Sequence, residues 1–222
     1  MRRYDAIHEI RSVLDEVLDE PGPLLVLCNG MIGREVFATG DRPGNFYMLG
    51  SMGLALSIGL GLALSRPNQE VVVFDGDGNL LMGMGTLATV GALQPRNLRH
   101  IVLDNQAHGS TGNQRTVAET VDLAAIARAA GYPWTTRLEG PTSEQLRSAT
   151  RELLLAPAPA ALLIRVEKGN IPDIARVTPT PREIAVRFRK VATGECSRAG
   201  GDPARNTPEF PGESRQGPSR FT

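Results

Sequence analysis

The chain has 222 residues, 41% of them hydrophobic, enough for one domain, or one and a half, with its own core. Its 24 basic and 24 acidic side chains give a formal net charge of zero, which argues against a nucleic-acid-binding protein, a class with a basic excess. Two cysteines, Cys28 and Cys196, are too few for a disulfide framework and favour a reducing, cytoplasmic location. Residues 1–20 are charged throughout, unlike a signal peptide.

Hydrophobic periodicity and turn residues predict alternating helices and strands in chain order. The first half is predicted as an amphipathic helix (7–18) ended by 21–23, a strand (24–28), a helix (32–38), a glycine-rich helix (51–64), a strand (71–74), a loop (75–79) and a helix (80–94). The second half is predicted as a strand (100–104), a polar loop (106–115), a helix (121–130), a strand (134–137), a helix (143–155) and a strand (161–166).

This alternation predicts a three-layer α/β/α domain, in which helices cover both faces of a mostly parallel sheet. Residues 48–64 carry no charge, but their glycines and serines indicate a buried helix that another group approaches closely, rather than a membrane span. We expect the domain to cover residues 1–193. The last part, 194–222, is rich in Gly, Pro, Ser and Arg and is predicted to be a disordered tail.

Polar residues follow two of the predicted strands, at the edge of the sheet where α/β proteins bind ligands. Gly76-Asp77-Gly78-Asn79 follows the strand at 71–74. The third glycine of a dinucleotide fingerprint is absent, and no Gly-Lys-Ser/Thr loop is present. A carboxylate between two glycines would repel a diphosphate unless a cation lay between them, so Asp77 is predicted to be a Mg²⁺ ligand.

The second polar segment follows the strand at 100–104 and offers the other groups that such a site needs. Asn105 provides an amide oxygen and Ala107 a backbone carbonyl, which with two phosphate oxygens and a water complete an octahedral set. Asp104 could compete with Asn105. The small residues Gly109, Ser110 and Thr111 offer amides and hydroxyls to the phosphates.

Together these motifs resemble the signature of thiamine diphosphate-dependent enzymes, a Gly-Asp-Gly followed at a nearly fixed distance by an Asn pair. Here Asn105 lies 28 positions after Asp77, and Asp104 replaces the first Asn. The resemblance assigns the metal to Asn105, the second position of the pair. It covers the diphosphate-binding, or PP, domain of these enzymes over about residues 23–188.

The segment Gly50-Ser51-Met52-Gly53 is similar to the one that bends the cofactor in this family. The resemblance implies that Met52 lies as a wedge between the two cofactor rings and that the Gly50 carbonyl accepts a hydrogen bond from the aminopyrimidine. Residues 34–37 and 103–112 most resemble sulfopyruvate and phosphonopyruvate decarboxylases. Residues 113–116 depart from that branch, and Arg115 could face an anionic substrate group or pair with a neighbour or with the partner chain.

The resemblance implies a cofactor-binding, beta-type subunit of a decarboxylase for a small anionic 2-oxoacid. A partner subunit would supply the pyrimidine-binding domain and the catalytic Glu, giving a hetero-oligomer with its site at an interface. Two alternatives remain: a subunit of an acetolactate-synthase-like carboligase, and a non-catalytic scaffold or sensor that retains the fold. The acid group of the substrate stays open among sulfonate, phosphonate and carboxylate.

Other polar residues allow plainer interpretations. His108 either handles protons or lines the substrate pocket, or it hydrogen-bonds locally as a loop histidine. His8 is predicted to be solvated and His100 to be structural. Arg34 and Glu35 are most simply surface charges at the start of a helix. Cys28, at a strand end without a paired base, is predicted to be a small core residue.

Overall fold

The computed structural model describes residues 1–19 and 22–195. Its centre is a sheet of six strands, all parallel, in the order β2-β1-β3-β4-β8-β7, and β5 and β6 form a separate antiparallel pair. The strands are β1 (Leu24–Leu27), β2 (Asn45–Tyr47), β3 (Val71–Gly76), β4 (Leu98–Asp104), β5 (Ala107–His108), β6 (Gln114–Arg115), β7 (Trp134–Glu139) and β8 (Ala160–Arg165).

Eight α-helices within the described residues connect and cover the strands. They are α1 (Arg3–Val17), α2 (Met31–Ala38), α3 (Ala55–Ser65), α4 (Asp77–Met82), α5 (Gly85–Leu93), α6 (Leu123–Ala129), α7 (Ser143–Leu155) and α8 (Pro181–Thr193). A short 3₁₀ helix spans Val117–Glu119.

The direction of each crossover decides which face a helix covers. The chain moves from β1 outward to β2, then back across β1 to β3 and on to β4. Because parallel crossovers are right-handed, α2 and α7 cover one face of the sheet and α3 to α6 cover the other. Accordingly α1 packs on α2 and α7, whereas α3 packs on α5. The predicted three-layer α/β/α fold with a mostly parallel sheet is confirmed.

The central strands are buried on both faces, as continuous apolar runs predict. Every residue of β1, β3 and β4 is buried. The uncharged stretch 48–64 contributes the 11-residue helix α3, which lies against β3. Within the described part of the chain, no helix is long and apolar enough to cross a membrane.

Several predicted boundaries are wrong at the glycines. The single helix predicted over 80–94 is two, α4 and α5, broken at Gly83 and Met84. A Cβ at Gly83 would lie 2.0 Å from the Gly53 carbonyl oxygen, so the chain bends where these backbones meet. The glycine-rich helix begins at Ala55 rather than at Ser51, whose φ of 56° is left-handed.

The predicted loops are also partly structured. Of residues 75–79, the first two end β3 and the others open α4, so no loop separates strand from helix there. The segment 106–115 contains the short antiparallel pair of β5 and β6. Helix α6 is shorter than predicted at both ends, and β4 and β7 are longer than predicted.

The edge strand β2 and the helix α8 are missing from the sequence-based prediction. The edge strand β2 has three residues, too few for a visible alternation. The helix α8 packs on β2, where the rings of Phe46 and Phe188 lie 5.3 Å apart. Its signal is present in the sequence: Thr180 and Glu183 form a capping box around Pro181.

The division into a domain over 1–193 and a tail over 194–222 stays a prediction. Helix α8 lies within the predicted domain and ends at Thr193, where Gly194 forms a left-handed cap. Residues 196–222, which make up nearly all of the predicted tail, lie outside the described residues.

Candidate functional site

The carboxyl ends of β1, β3 and β4 form a cleft at the centre of the sheet. The chain leaves β1 in one direction and β3 in the other, so the crevice lies where the strand order reverses, the usual position of ligands in this architecture. Residues from all three strand ends line it. The lining consists of Arg3, Asn29, Gly30, Met31, Ile32, Met52, Gly76, Asp77, Gly78, Asn79, Leu103, Asn105, Ala107, His108, Gly109 and Ser110.

Asp77 places a buried carboxylate at the first residue of α4. It is 2% exposed, and no ion pair among the described residues includes it. Burial raises the pKa of Asp77, while hydrogen bonds from the Thr116 hydroxyl and from backbone amides, including that of Asn105, oppose the shift. A carboxylate held in this way lacks a compensating positive charge, which a bound cation would supply.

Asn105 and Asp104 face different surroundings. Asn105, 4% exposed, lines the cleft, and its Oδ1 accepts a hydrogen bond of 3.2 Å from the Ala107 amide. Its Nδ2 is buried and has no partner among the described residues. Asp104 is paired with Arg165, 3.2 Å away. Burial, then the nearby charge of Asp77, raise the pKa of Asp104 to about 6. This arrangement favours Asn105 over Asp104, and the ligand assignment stays a prediction.

The three predicted metal donors Asp77, Asn105 and Ala107 all line the cleft. The Ala107 carbonyl already accepts a 3.0 Å hydrogen bond from the Gly109 amide and keeps a second lone pair. In the described part of the chain, no three His, Cys, Asp or Glu side chains converge on a metal site. The predicted Mg²⁺ site is of another kind, because Asp77 is its one carboxylate. Its other oxygens would come from Asn105, the Ala107 carbonyl, phosphates and water.

Met52, Gly78 and His108 meet at one wall of the cleft. A Cβ at Gly78 would lie 2.8 Å from His108 Cε1 and 3.2 Å from Met52 Cε, so only glycine fits between these side chains. His108 is half-buried and reaches the cleft from β5. The wedge role of Met52 and the proton-handling role of His108 stay predictions.

The remaining residues of the predicted cofactor set are divided between the cleft and its surroundings. The Gly53 amide donates a 3.2 Å hydrogen bond to Asn79 Oδ1, which ties the two glycine-rich segments together. Gly50 and Ser51 line a neighbouring apolar groove instead. Thr111 is exposed and donates a 2.8 Å hydrogen bond to a glutamine in the same loop.

The cleft also contains residues that the sequence analysis missed. Asn29 and Gly30 follow β1, and this Asn-Gly turn after an apolar strand is a signal that could have found them. Gly30 has a φ of 93° and its Cα faces the Ser110 side chain. Arg3, far away in the sequence, gives no such signal.

Two predictions about charged residues can now be judged. Glu35 is not on the surface: it is 1% exposed and forms a buried ion pair with Arg3, 2.7 Å away. A buried carboxylate needs such a partner, and α1 provides it. Arg115 pairs with Glu119 on the surface.

The other expectations hold: His8 is exposed, and His100 and Cys28 lie in the interior. Burial raises the pKa of the Cys28 thiol, as expected for an inert core cysteine.

The fold and the cleft define an α/β protein with a polar, glycine-lined site at the reversal point of a parallel sheet. Residues 28–164 match the family described as thiamine pyrophosphate enzyme, C-terminal TPP binding domain. The chain belongs to this family.

Two relatives and one solved structure show the extent of the similarity. The chain is 44% identical to phosphonopyruvate decarboxylase of Streptomyces viridochromogenes over 76% of its own length and 42% of that protein. It is 39% identical to sulfopyruvate decarboxylase subunit beta of Methanococcus maripaludis over 85% of its own length and 96% of that subunit. Benzoylformate decarboxylase from Polynucleobacter necessarius has the same fold, with a TM-score of 0.61 and 17% identity, over 78% of this chain and 34% of that one.

The residues present fit the family's cofactor. A diphosphate bound through a cation needs an anionic ligand, further oxygen donors and a wall without side chains. Among the described residues, the Asp77 carboxylate has no cationic partner, and the buried Asn105 Nδ2, a donor suited to a phosphate oxygen, has no hydrogen bond. The walls of the cleft include three glycines at which an added Cβ would approach another side chain: Ser110 at Gly30, Ile32 at Gly76 and Asn170 at Gly109.

Proposed function

We propose that this chain is the cofactor-binding, beta-type subunit of a thiamine diphosphate-dependent decarboxylase. Its substrate would be a small anionic 2-oxoacid of the sulfopyruvate or phosphonopyruvate kind. A partner subunit with the pyrimidine-binding domain and the catalytic Glu would complete the site. The observation that carries the proposal is the pair of buried residues Asp77 and Asn105 in one glycine-lined cleft.

The chain's own residues would bind and orient the cofactor. Asp77, Asn105 and the Ala107 carbonyl would hold Mg²⁺, and the amide of Ser110, in the turn with Gly109, would face the phosphates. Bound thiamine diphosphate would supply an electron sink for the electrons released when a 2-oxoacid loses CO₂.

Met52, with the Gly50 segment beside it, would keep the cofactor bent. His108, which meets Met52 and Gly78 at one wall of the cleft, would hold a proton near the reacting atoms or line the substrate pocket.

The relatives support the division into two chains. The chain spans less than half of the phosphonopyruvate decarboxylases that it matches, but nearly all of a protein named as subunit beta. A beta subunit implies at least one other chain.

Calorimetric titration of thiamine diphosphate into the purified full chain tests the cofactor site. The wild-type chain should bind in Mg²⁺ and lose binding in EDTA, and Asp77→Ala should abolish the Mg²⁺-dependent binding. Asp19→Ala is the matched control, because Asp19 is exposed and its carboxylate has no ion pair among the described residues. Binding that survives both EDTA and Asp77→Ala would contradict the proposal.

The activity is tested by CO₂ release from sulfopyruvate, phosphonopyruvate and pyruvate, with the chain alone and with a candidate partner chain. We expect turnover only in the mixture. Turnover by the chain alone, as a verified pure sample, would refute the two-chain site. Carboligation would appear as a new product when an acceptor aldehyde is added. If Asp77→Ala leaves both cofactor affinity and reconstituted activity unchanged, the scaffold interpretation replaces this one.

A further inference from the structure

A buried ion pair reaches the cleft, because Arg3, one of its members, is part of the lining. Arg3, on the first turn of α1, donates from Nε and Nη2 to the two carboxylate oxygens of Glu35 on α2, at 2.8 and 2.7 Å. The two side chains are 5% and 1% exposed. A bidentate pair in such surroundings holds the guanidinium in a fixed plane.

The same guanidinium reaches a segment that follows the last strand. Arg3 Nη2 also donates to Asn170 Oδ1 at 2.9 Å and to the Gly169 carbonyl at 3.4 Å. Asn170 then donates from Nδ2 to the Gly109 carbonyl at 2.6 Å. A continuous series of hydrogen bonds therefore joins the buried ion pair to the turn at Gly109.

The turn at Gly109 is held by hydrogen bonds within its own loop, including one from the Asn113 amide to the His108 carbonyl at 3.1 Å and one from the Thr111 hydroxyl to the Gln114 side chain. Within it, the Gly109 amide donates to the Ala107 carbonyl at 3.0 Å and the Thr111 amide donates to the His108 carbonyl at 3.2 Å. Asn170 comes from outside the turn and lies across it. A Cβ at Gly109 would lie 3.0 Å from Asn170 Oδ1 and 3.7 Å from Arg3 Nη1, so a larger residue there would press against the Asn170 amide.

The segment that carries Asn170 is itself fixed near the cleft. It has no helix or strand between β8 and α8, yet the Glu167 amide donates to the Met1 carbonyl at 3.0 Å. The Glu167 carboxylate also pairs with the chain's amino terminus at 2.9 Å. The start of α1 and the segment after β8 are thus joined next to the site.

We propose that Asn170 is a positioning residue that latches the Gly109–Ser110 turn in the conformation that receives a diphosphate. The buried pair of Arg3 and Glu35 orients the Asn170 amide, and Asn170 orients the turn. The latch is a property of the chain itself, and its purpose rests on the proposed function. Asn170 is exposed, so its replacement leaves the core intact.

Two substitutions at Asn170 distinguish its hydrogen bond with Arg3 from its hydrogen bond with Gly109. Asn170→Ala removes both hydrogen bonds. Asn170→Asp keeps an acceptor for Arg3 but removes the donor to Gly109 and places a carboxylate against a carbonyl. Asn68→Ala is the matched control, because Asn68 is exposed and its side chain has no hydrogen bond to any described residue.

The first measurement is amide hydrogen exchange of the cofactor-free full chain, read over residues 106–113. Loss of one hydrogen bond should accelerate exchange there about fivefold in both Asn170 variants, and not in the control. The second is the dissociation constant of thiamine diphosphate in Mg²⁺, which should rise about fivefold in both variants. The equilibrium constant for unfolding without cofactor should rise by no more than the same factor of about five, whereas a general loss of structure would raise it further.

Each outcome decides the proposal. Faster exchange together with weaker binding supports it. Unchanged exchange in both variants would refute the claim that Asn170 holds the turn. Faster exchange with unchanged affinity would refute the claim that the held turn serves cofactor binding. If the wild-type chain fails to bind thiamine diphosphate, also with its partner, the proposed function fails, and the latch is then judged by the exchange measurement alone.

Discussion

Replacing Gly59 by alanine tests how closely α3 packs against the sheet. A Cβ at Gly59 would lie 2.3 Å from Cγ2 of Val73, a fully buried residue of β3. Ordinary contact between carbon atoms begins near ~3.5 Å, so the helix or the strand must move by about 1 Å. Overpacking of this kind costs about 1–3 kcal/mol of the free energy of unfolding.

Gly61 on the same helix provides the control. It is exposed, and no atom lies within 4 Å of the position its Cβ would take. Alanine favours a helix over glycine by about 1 kcal/mol, and this gain is common to both positions. We therefore expect Gly61→Ala to raise the free energy of unfolding by about 1 kcal/mol. Gly59→Ala should be about 1–3 kcal/mol less stable than Gly61→Ala.

Urea unfolding of the full chain, followed by circular dichroism, measures this difference. In a Val73→Ala background the missing methyl groups make room, and the Gly59→Ala penalty should shrink by at least about 1 kcal/mol. The reasoning fails if Gly59→Ala and Gly61→Ala are equally stable within about 0.5 kcal/mol. It also fails if the two core substitutions at Gly59 and Val73 are simply additive.

Three further outcomes follow from buried groups. Glu35→Gln leaves the Arg3 charge unpaired in the interior and should cost about 3–5 kcal/mol in urea unfolding, whereas Glu119→Gln, which breaks an exposed pair, is the control and should leave stability nearly unchanged; equal costs would contradict the buried pair. In a Cys196→Ser background, Cys28 should not react with a thiol reagent until denaturant is added, because burial shields the thiol and raises its pKa. Fast labelling of the native chain would refute the burial of Cys28. Thr116→Val removes a hydrogen bond to the predicted metal-binding carboxylate. In titrations of cofactor at several Mg²⁺ concentrations, the concentration of Mg²⁺ needed for half-maximal cofactor binding should rise about tenfold, and an unchanged concentration would count against the metal site.

The elements that could be predicted are those with a local signal. Strands β1, β3 and β4 are apolar runs because both faces of a central parallel strand are buried. Helix α7 has its own capping box and an apolar stripe. The edge strand β2 has no such signal, because three residues show no period. The signal of α8 lies in the Thr180–Glu183 capping box, which marks where the helix begins.

The residues of the cleft differ in the same way in how far the sequence predicts them. Asp77 and Asn105 each follow a strand directly, and parallel neighbours bring their ends together, so their proximity follows from the sequence and the fold class. The contact from Arg3 to Glu35 joins residues 32 positions apart, and its contact to Asn170 spans 167. No spacing rule relates these residues.

The sequence by itself determined the fold class, the strand ends that carry the polar motifs and the family that these motifs indicate. Each of these depends on residues close together along the chain, where periodicity and turn geometry act. The tertiary structure decided that Glu35 is buried, that α3 touches Val73 at a glycine and that Asn170 lies across the Gly109 turn. These contacts depend on how distant elements pack, because a side chain's burial and partners are set by the elements folded against it rather than by its neighbours in sequence.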